Sequence, residues 1–75
     1  MAEKKLLKLS TIPEREKRVL KFLHENGSCM YGNIFKELKI PPTKGSEIIL
    51  SLTYKGYIKN VGKTSHYQLD VELQN

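Results

Sequence analysis

The chain has 75 residues, of which 39% are hydrophobic and 28% are charged, with a formal net charge of +5. A chain of this length forms one small domain, which buries only about 60% of its unfolded surface, so a second subunit would help to stabilise it. The composition is typical of a folded chain and not of a disordered one. The excess of positive charge favours a polyanionic partner.

Several classes of protein are excluded by what the sequence lacks. No apolar run is long enough to span a bilayer, and residues 1–10 lack the apolar centre and cleavage site of a signal peptide. The single cysteine, Cys29, cannot form an intrachain disulfide or build a zinc site, which indicates a reducing compartment. We therefore expect a cytoplasmic protein that is not an enzyme, binds no cofactor and does not associate with a membrane.

The first predicted helix lies within residues 12–26, where apolar residues recur at helical spacing. Thr11 is a candidate N-cap, Glu14 completes a capping box with it, and Pro13 is tolerated in the first turn. Gly27 suits the left-handed position that ends a helix.

Two further helices are predicted between residues 31 and 55. The second covers about residues 31–39 and is ended by Pro41 and Pro42, which cannot donate backbone hydrogen bonds. The third covers about residues 43–55, with Thr43 as its N-cap and Gly56 after its last turn. Its predicted inner face consists of Ile48, Ile49 and Leu52.

After Gly56 the hydrophobic period changes from 3.6 residues to 2, which predicts strands at residues 57–61 and 66–73. Residues 62–65 have the composition of a turn, so the two strands form a hairpin. Residues 28–30 are long enough only for a connector or one edge strand. The predicted fold is therefore α+β, with three helices followed by a two-stranded hairpin.

The second and third predicted helices resemble those of winged helix-turn-helix domains. Asn33-Ile34-Phe35-Lys36-Glu37-Leu38-Lys39-Ile40-Pro41 is similar to the second helix of such a domain. The segment from Ser46 to Ile58, which ends in Lys55-Gly56-Tyr57-Ile58, is similar to the third helix and its junction with the wing. The resemblance covers roughly residues 12–73 and is to small bacterial and archaeal transcription regulators, including the multiple-antibiotic-resistance type. The pattern of residues 1–10 predicts an amphipathic lead-in, and the resemblance implies that residues 11–75 are a winged helix-turn-helix domain.

The resemblance also implies a function. In such domains the third helix, here about residues 43–55, enters the major groove of DNA, and the wing, here about residues 57–71, contacts the flanking backbone. The implied partner is double-stranded DNA, and the implied location is the nucleoid. The candidate DNA-binding residues are Lys44, Ser46, Glu47, Ser51, Tyr54, Lys55, Lys59 and Lys63.

Charge and side-chain chemistry suggest individual roles for these residues. Between positions 28 and 69, six lysines face two glutamates, which leaves +4 of the net charge of +5 in this stretch. Lys44 and Lys63 are the strongest candidates for phosphate contacts. Glu47 is a candidate acceptor for cytosine N4 or, alternatively, a partner of Lys44 or Ser51. Tyr54 lies on the outer face of the third helix or packs its ring on the wing.

Four positions depart from the pattern of the family. Gly45 stands where an apolar β-branched residue is frequent, and Phe35 stands where alanine is usual. We interpret this pair as an exchange of volume, which predicts that the Phe35 ring contacts the Gly45 backbone. Glu47 replaces a frequent arginine and Leu50 replaces a polar residue, and both changes weaken the prediction that this helix reads bases.

Apolar residues flank the predicted motif at both ends of the chain. They are Leu6, Leu7, Leu9, Val71 and Leu73. We predict a two-fold homodimer that buries them, because helix-turn-helix proteins commonly read two half-sites. The alternative is that both ends fold back onto the first helix of the same chain.

Two side chains, His66 and Cys29, have a second interpretation. His66 beside the wing is either a pH-sensitive phosphate contact or an ordinary exposed histidine. His24 complements the dipole at the end of the first helix, and neither histidine has the partners for a metal site. Cys29 is either a redox sensor or a small buried hydrophobic residue.

Three functions are compatible with these patterns. The first is a transcription regulator that binds specific DNA sequences. The second is a winged helix that binds another protein, which Glu47 and Leu50 favour. The third is a nucleic-acid-binding protein without sequence preference, which needs the lysines but no base contacts.

Overall fold

The computed structural model of the chain describes residues 5–74 and shows a mixed α+β fold. The helices are α1 (Glu14–Asn26), α2 (Tyr31–Leu38) and α3 (Pro42–Tyr54), and a short 3₁₀ turn covers Leu9–Thr11. The strands are β1 (Lys5–Lys8), β2 (Cys29–Met30), β3 (Ile58–Asn60), β4 (His66–Leu69) and β5 (Val71–Gln74). In this part of the chain the longest helices have 13 residues, too few to cross a bilayer.

The start of α1 differs from the predicted capping box. Pro13 is the N-cap residue, and the Thr11 side chain caps nothing in α1. Its hydroxyl instead donates a hydrogen bond of 2.8 Å to the Lys8 carbonyl within the 3₁₀ turn. The capping box of Thr11 and Glu14 is therefore wrong. The end of the helix agrees with the prediction, because Gly27 follows Asn26 with a positive φ of 74°.

The connection between α2 and α3 has the predicted length and begins one residue earlier in the chain. α2 ends at Leu38, and Lys39 adopts the left-handed conformation with φ of 56°. Pro41 is the N-cap residue of α3 and Pro42 is its first residue, so the predicted N-cap at Thr43 is wrong. Proline suits this position because the first N–H groups of a helix have no intrahelical acceptor and its φ is already helical.

The predicted hairpin is present, and it belongs to a three-stranded antiparallel sheet. β3 pairs with β4, and Ile58 lies opposite Leu69. β2 pairs with the other edge of β4, and Cys29 lies opposite Tyr67. Cys29 and Met30 therefore form an edge strand, the second of the two alternatives predicted for residues 28–30.

The segment over residues 66–73 is not one strand, as predicted, but two. It divides at Asp70, after which β5 leaves the hairpin and pairs in parallel with β1, with Leu7 opposite Leu73. The alternation of apolar residues continues across Asp70, so the period alone does not mark the break. Residues 5–8 of the predicted lead-in thus form part of the fold, whereas residues 1–4 and Asn75 lie outside the described residues.

One apolar core joins the helices to both sheets. Its buried hydrophobic residues are Leu7, Leu9, Ile12, Val19, Leu20, Leu23, Ile34, Phe35, Ile48, Ile49, Leu52, Ile58 and Val71. Leu7, Leu9 and Val71 are buried within their own chain, so their predicted place in a dimer interface is wrong. Leu73 is half-buried, and Leu6 remains exposed over 65% of its surface.

Candidate nucleic-acid interface

The inner side of α3 is fixed by close packing at its first turn. Gly45 is buried against the Phe35 ring, and a Cβ atom at Gly45 would lie only 2.5 Å from Phe35 Cε1. The predicted contact between Phe35 and Gly45 is therefore confirmed. The Phe35 ring also packs edge-to-face with Tyr31, with ring centroids 5.7 Å apart. α2 and α3 thus approach each other closely because glycine leaves room for the ring.

The outer side of α3 is open to solvent along its whole length. Its exposed residues on this side are Thr43, Ser46, Glu47, Leu50 and Tyr54. Leu50 is 70% exposed and Tyr54 is 94% exposed, so the alternative in which the Tyr54 ring packs on the wing is wrong. Spacings of three and four residues place these side chains along one face of the helix.

A buried carboxylate on α1 holds the C-terminal half of α3. Glu16 is only 8% exposed, and its Oε1 accepts a hydrogen bond of 3.0 Å from Lys55 Nζ. Its Oε2 accepts a second hydrogen bond of 3.4 Å from Ser51 Oγ. Lys55 and Ser51, both predicted to bind DNA, are therefore engaged by α1 within the chain.

Glu16 was not among the predicted site residues, although its position in the sequence carries a signal for its role. Glu16 lies three, four and seven residues before Val19, Leu20 and Leu23, so helical spacing places it on the buried side of α1. A carboxylate on such a side needs a partner. Lys55, 39 positions later in the sequence, supplies it.

Lys59 also has a partner within the chain. Its Nζ lies 3.8 Å from Oδ1 of Asp70, the residue that separates β4 from β5. Both side chains are about half exposed, so the pair is weak, at most about 1 kcal/mol. Lys59 can therefore leave Asp70 and bind a phosphate with little loss of stability.

The remaining charged candidates lie at two places on the surface. Lys44 and Glu47 line a shallow cleft of about 210 Å³ between α1 and α3, together with Arg15, Glu16 and Ser51. Lys63 is exposed in the turn between β3 and β4. Among the described residues, Lys36, Lys39, Lys44 and Lys63 are exposed lysines of this region without an ion-pair partner.

The turn that carries Lys63 is held by a network of hydrogen bonds. Asn60 Nδ2 donates to the carbonyls of Thr64 and His66, at 2.7 and 3.0 Å. The Thr64 hydroxyl donates to the Val61 carbonyl at 2.7 Å. Asn60 was not among the predicted site residues, yet it determines where the tip of the hairpin lies.

An apolar groove lies beside the outer face of α3. Its volume is about 380 Å³, and it is lined by Tyr31, Phe35, Ser46, Ile49, Leu50 and Tyr67. Tyr31 is 44% exposed at the start of α2. A second cleft of about 420 Å³ continues along α2 past Lys36 and Pro42. The outer face of α3 therefore combines polar, acidic and apolar side chains.

The thiol and the histidines offer little additional chemistry. Cys29 is half-buried, its thiol donates to the Gly27 carbonyl, and burial raises its pKa. A raised pKa disfavours the reactive thiolate, so the structure favours a packing role over a redox sensor. His66 is half-buried in β4, opposite Met30. Within residues 5–74 there is no cluster of His, Cys, Asp and Glu that could hold a metal ion.

The chain matches none of the protein families, curated proteins or solved structures with which it was compared. Any assignment of function therefore depends on the chain's own residues and on their arrangement.

Proposed function

We propose that the chain is a transcription regulator that binds double-stranded DNA through a winged helix-turn-helix arrangement. In this arrangement α2 and α3 form the helix-turn-helix, and the hairpin of β3 and β4 forms the wing. α3 lies in the major groove, and Lys63 at the tip of the wing lies on flanking phosphates. The order of the elements, helix, strand, two helices and hairpin, supports this assignment.

The main support is that α3 is anchored along one side and open along the other. Its inner side is buried through Gly45, Ile48, Ile49 and Leu52, and Glu16 holds its C-terminal half. A helix of 13 residues is about 20 Å long. A rigid helix with one free face has the shape that a major groove about 12 Å wide accepts.

The proposed contacts begin at the N-terminal end of α3. The N–H groups of Thr43 and Lys44 lie in the first turn, where they have no intrahelical acceptor and suit a phosphate. Lys44 adds a positive charge at the same place. Ser46 and Glu47 follow on the exposed face, where a hydroxyl can contact several bases and a carboxylate accepts from cytosine N4.

Three of the predicted DNA-binding residues receive revised roles. Ser51 and Lys55 position α3 through Glu16 instead of binding DNA. Lys59 binds a phosphate only by leaving Asp70. Tyr54 stays on the proposed interface because its ring is exposed on the outer face of α3.

We further propose that the regulator acts as a two-fold homodimer on two half-sites, in the cytoplasm and on the nucleoid. Leu6 is the exposed leucine on the solvent side of β1, so it is the side chain through which the two subunits would meet.

Selection from random duplex DNA at several salt concentrations tests the proposed function. Enrichment of one sequence is the expected result, and Lys44→Gln is expected to weaken its binding more than Lys21→Gln on α1. Uniform, weak and salt-sensitive binding would indicate a protein without sequence preference. No binding at low salt would contradict the proposal.

A second candidate function is a module that binds another protein. Leu50 and Tyr54 favour it, because two large hydrophobic side chains one turn apart are exposed on the same helix. If the intact chain is folded and binds no duplex DNA, binding to another protein becomes the better supported function.

A further inference from the structure

We propose that Leu50 determines specificity by contacting the C5-methyl group of a thymine in the major groove. This inference rests on the proposed function, because it requires the outer face of α3 to meet base edges. It extends that function by naming a base and the group on that base that is recognised.

Leu50 occupies the middle of the exposed face of α3. It follows Ser46 by four residues and Glu47 by three, and Tyr54 comes one turn later. Leu50 is therefore about 6 Å further along the helix than Ser46, close to two base-pair steps. If Ser46 and Glu47 contact base edges, Leu50 lies where it can contact the edges of the neighbouring base pairs.

The chemistry of leucine restricts what it can recognise there. Leucine has no hydrogen-bond donor or acceptor, so it cannot pair with a phosphate or with the polar edge of a base. The C5-methyl group of thymine is the apolar group that a base pair presents in the major groove. Placed over guanine, adenine or cytosine, the side chain would cover polar atoms without pairing them, which is unfavourable.

The surroundings of Leu50 extend the same apolar surface. Leu50 lines a groove with Tyr31 and Tyr67, and the Tyr31 ring is held edge-to-face by Phe35. A methyl group that contacts Leu50 is therefore surrounded by ordered apolar side chains instead of water. Glu47, one turn earlier, is expected to select cytosine, because its carboxylate can accept a hydrogen bond from cytosine N4. The selected site is expected to contain a cytosine and a thymine within about two base-pair steps of each other.

Replacement of thymine by uracil tests the contact, since it removes the methyl group and nothing else. The duplex is the sequence enriched by the wild-type chain, with each thymine replaced in turn by deoxyuridine. We expect one position at which wild-type affinity falls about fourfold, as a buried methyl-sized group is worth about 0.8 kcal/mol. Leu50→Ala is expected to bind the thymine duplex more weakly and to bind the two duplexes equally.

The chain offers a matched control for this substitution. Met30 is another exposed apolar residue, 42% exposed against 70% for Leu50, and it lies on β2 rather than on α3. Met30→Ala is expected to keep the fourfold difference between the thymine and uracil duplexes. Because Leu50 is exposed, Leu50→Ala is expected to fold, and a thermal melt of the variant verifies this.

Three results would overturn the inference. No duplex binding at all would overturn the proposed function with it. Duplex binding without a preferred sequence, or with equal affinity for every thymine and uracil duplex, would leave DNA binding intact and remove the role of Leu50. A thymine preference that persists in Leu50→Ala would assign the methyl contact to another residue.

Discussion

The Glu16 carboxylate on α1 accepts a hydrogen bond from Lys55 Nζ, which lies 3.0 Å away just beyond the end of α3. Glu16 is nearly buried, whereas Lys55 keeps part of its side chain in solvent and lies 5.9 Å from the centroid of the Tyr57 ring. The same carboxylate accepts from Ser51 one turn earlier. One acidic residue thus joins the first helix to the helix with the open face.

Removal of this carboxylate is expected to destabilise the fold. Glu16→Ala leaves Lys55 and Ser51 without their acceptor, at a cost of about 1–3 kcal/mol in the free energy of unfolding. Urea denaturation of the wild type and the variant measures the difference. Glu14→Ala is the control, because Glu14 is 76% exposed and its ion pair with Lys17 spans 3.7 Å. Equal effects of the two substitutions would contradict the assigned role of Glu16.

Replacement of Gly45 by alanine is expected to destabilise the chain, whereas the same replacement usually stabilises a helix. Alanine normally stabilises a helix relative to glycine by about 1 kcal/mol. At Gly45 the added Cβ would meet the buried Phe35 ring at 2.5 Å, so Gly45→Ala is expected to destabilise the chain. For Gly45→Val the expected cost is about 1–3 kcal/mol.

Gly32 in α2 is the matched control, because a Cβ there meets nothing within 4 Å. Gly32→Ala is therefore expected to stabilise the chain in the same thermal or urea measurement. Phe35→Ala combined with Gly45→Val should recover part of the loss caused by Gly45→Val. A double variant no more stable than the worse single variant would show that the two residues do not exchange volume.

The sequence predicts whether a segment forms a helix or a strand where the signal lies within that segment. Helical periodicity locates α1, α2 and α3, and glycines with positive φ at positions 27 and 56 mark where α1 and α3 end. The contact of Phe35 with Gly45 was predicted from the resemblance to winged helix-turn-helix domains, because Gly45 is smaller and Phe35 larger than the residues usual at those positions.

The features that were missed depend on partners distant in the sequence. β5 separates from β4 because it pairs with β1 at the other end of the chain, and nothing in residues 66–73 alone encodes that pairing. Ser51 and Lys55 appear as free polar residues until Glu16 is placed opposite them. Thr11 and Thr43 have the chemistry of N-caps, yet neighbouring prolines occupy the N-cap positions of α1 and α3.

Loss of the charge at the hairpin tip is expected to weaken binding to all duplexes by a similar factor. Lys63 is exposed, and Lys63→Gln removes one contact that releases a counterion. The slope of the logarithm of affinity against the logarithm of salt concentration should therefore fall by about one unit per subunit. Lys21→Gln removes the same charge from the exposed side of α1 and should leave the slope unchanged. An unchanged slope for Lys63→Gln would place the wing away from the phosphates.

The oligomeric state is expected to be a dimer that depends on Leu6. Sedimentation at micromolar concentration should give twice the chain mass of 8.7 kDa. Leu6→Glu should shift the protein toward monomer without unfolding it, because Leu6 is 65% exposed. Deletion of residues 1–10 is a poorer test, since it also removes Leu7 and Leu9 from the core. A monomer at every concentration of the intact chain would rule out the dimer.

The central claim is that the open face of α3 meets the major groove. Titration of the isotope-labelled chain with its selected duplex, followed by amide chemical shifts in NMR spectra, tests this residue by residue. We expect the largest shifts in Thr43, Ser46, Glu47 and Leu50 and at the hairpin tip over residues 61–65. The exposed side of α1, around Lys21, should change little. Shifts confined to α1 and to the β1–β5 pair, with none on the outer face of α3, would contradict the account.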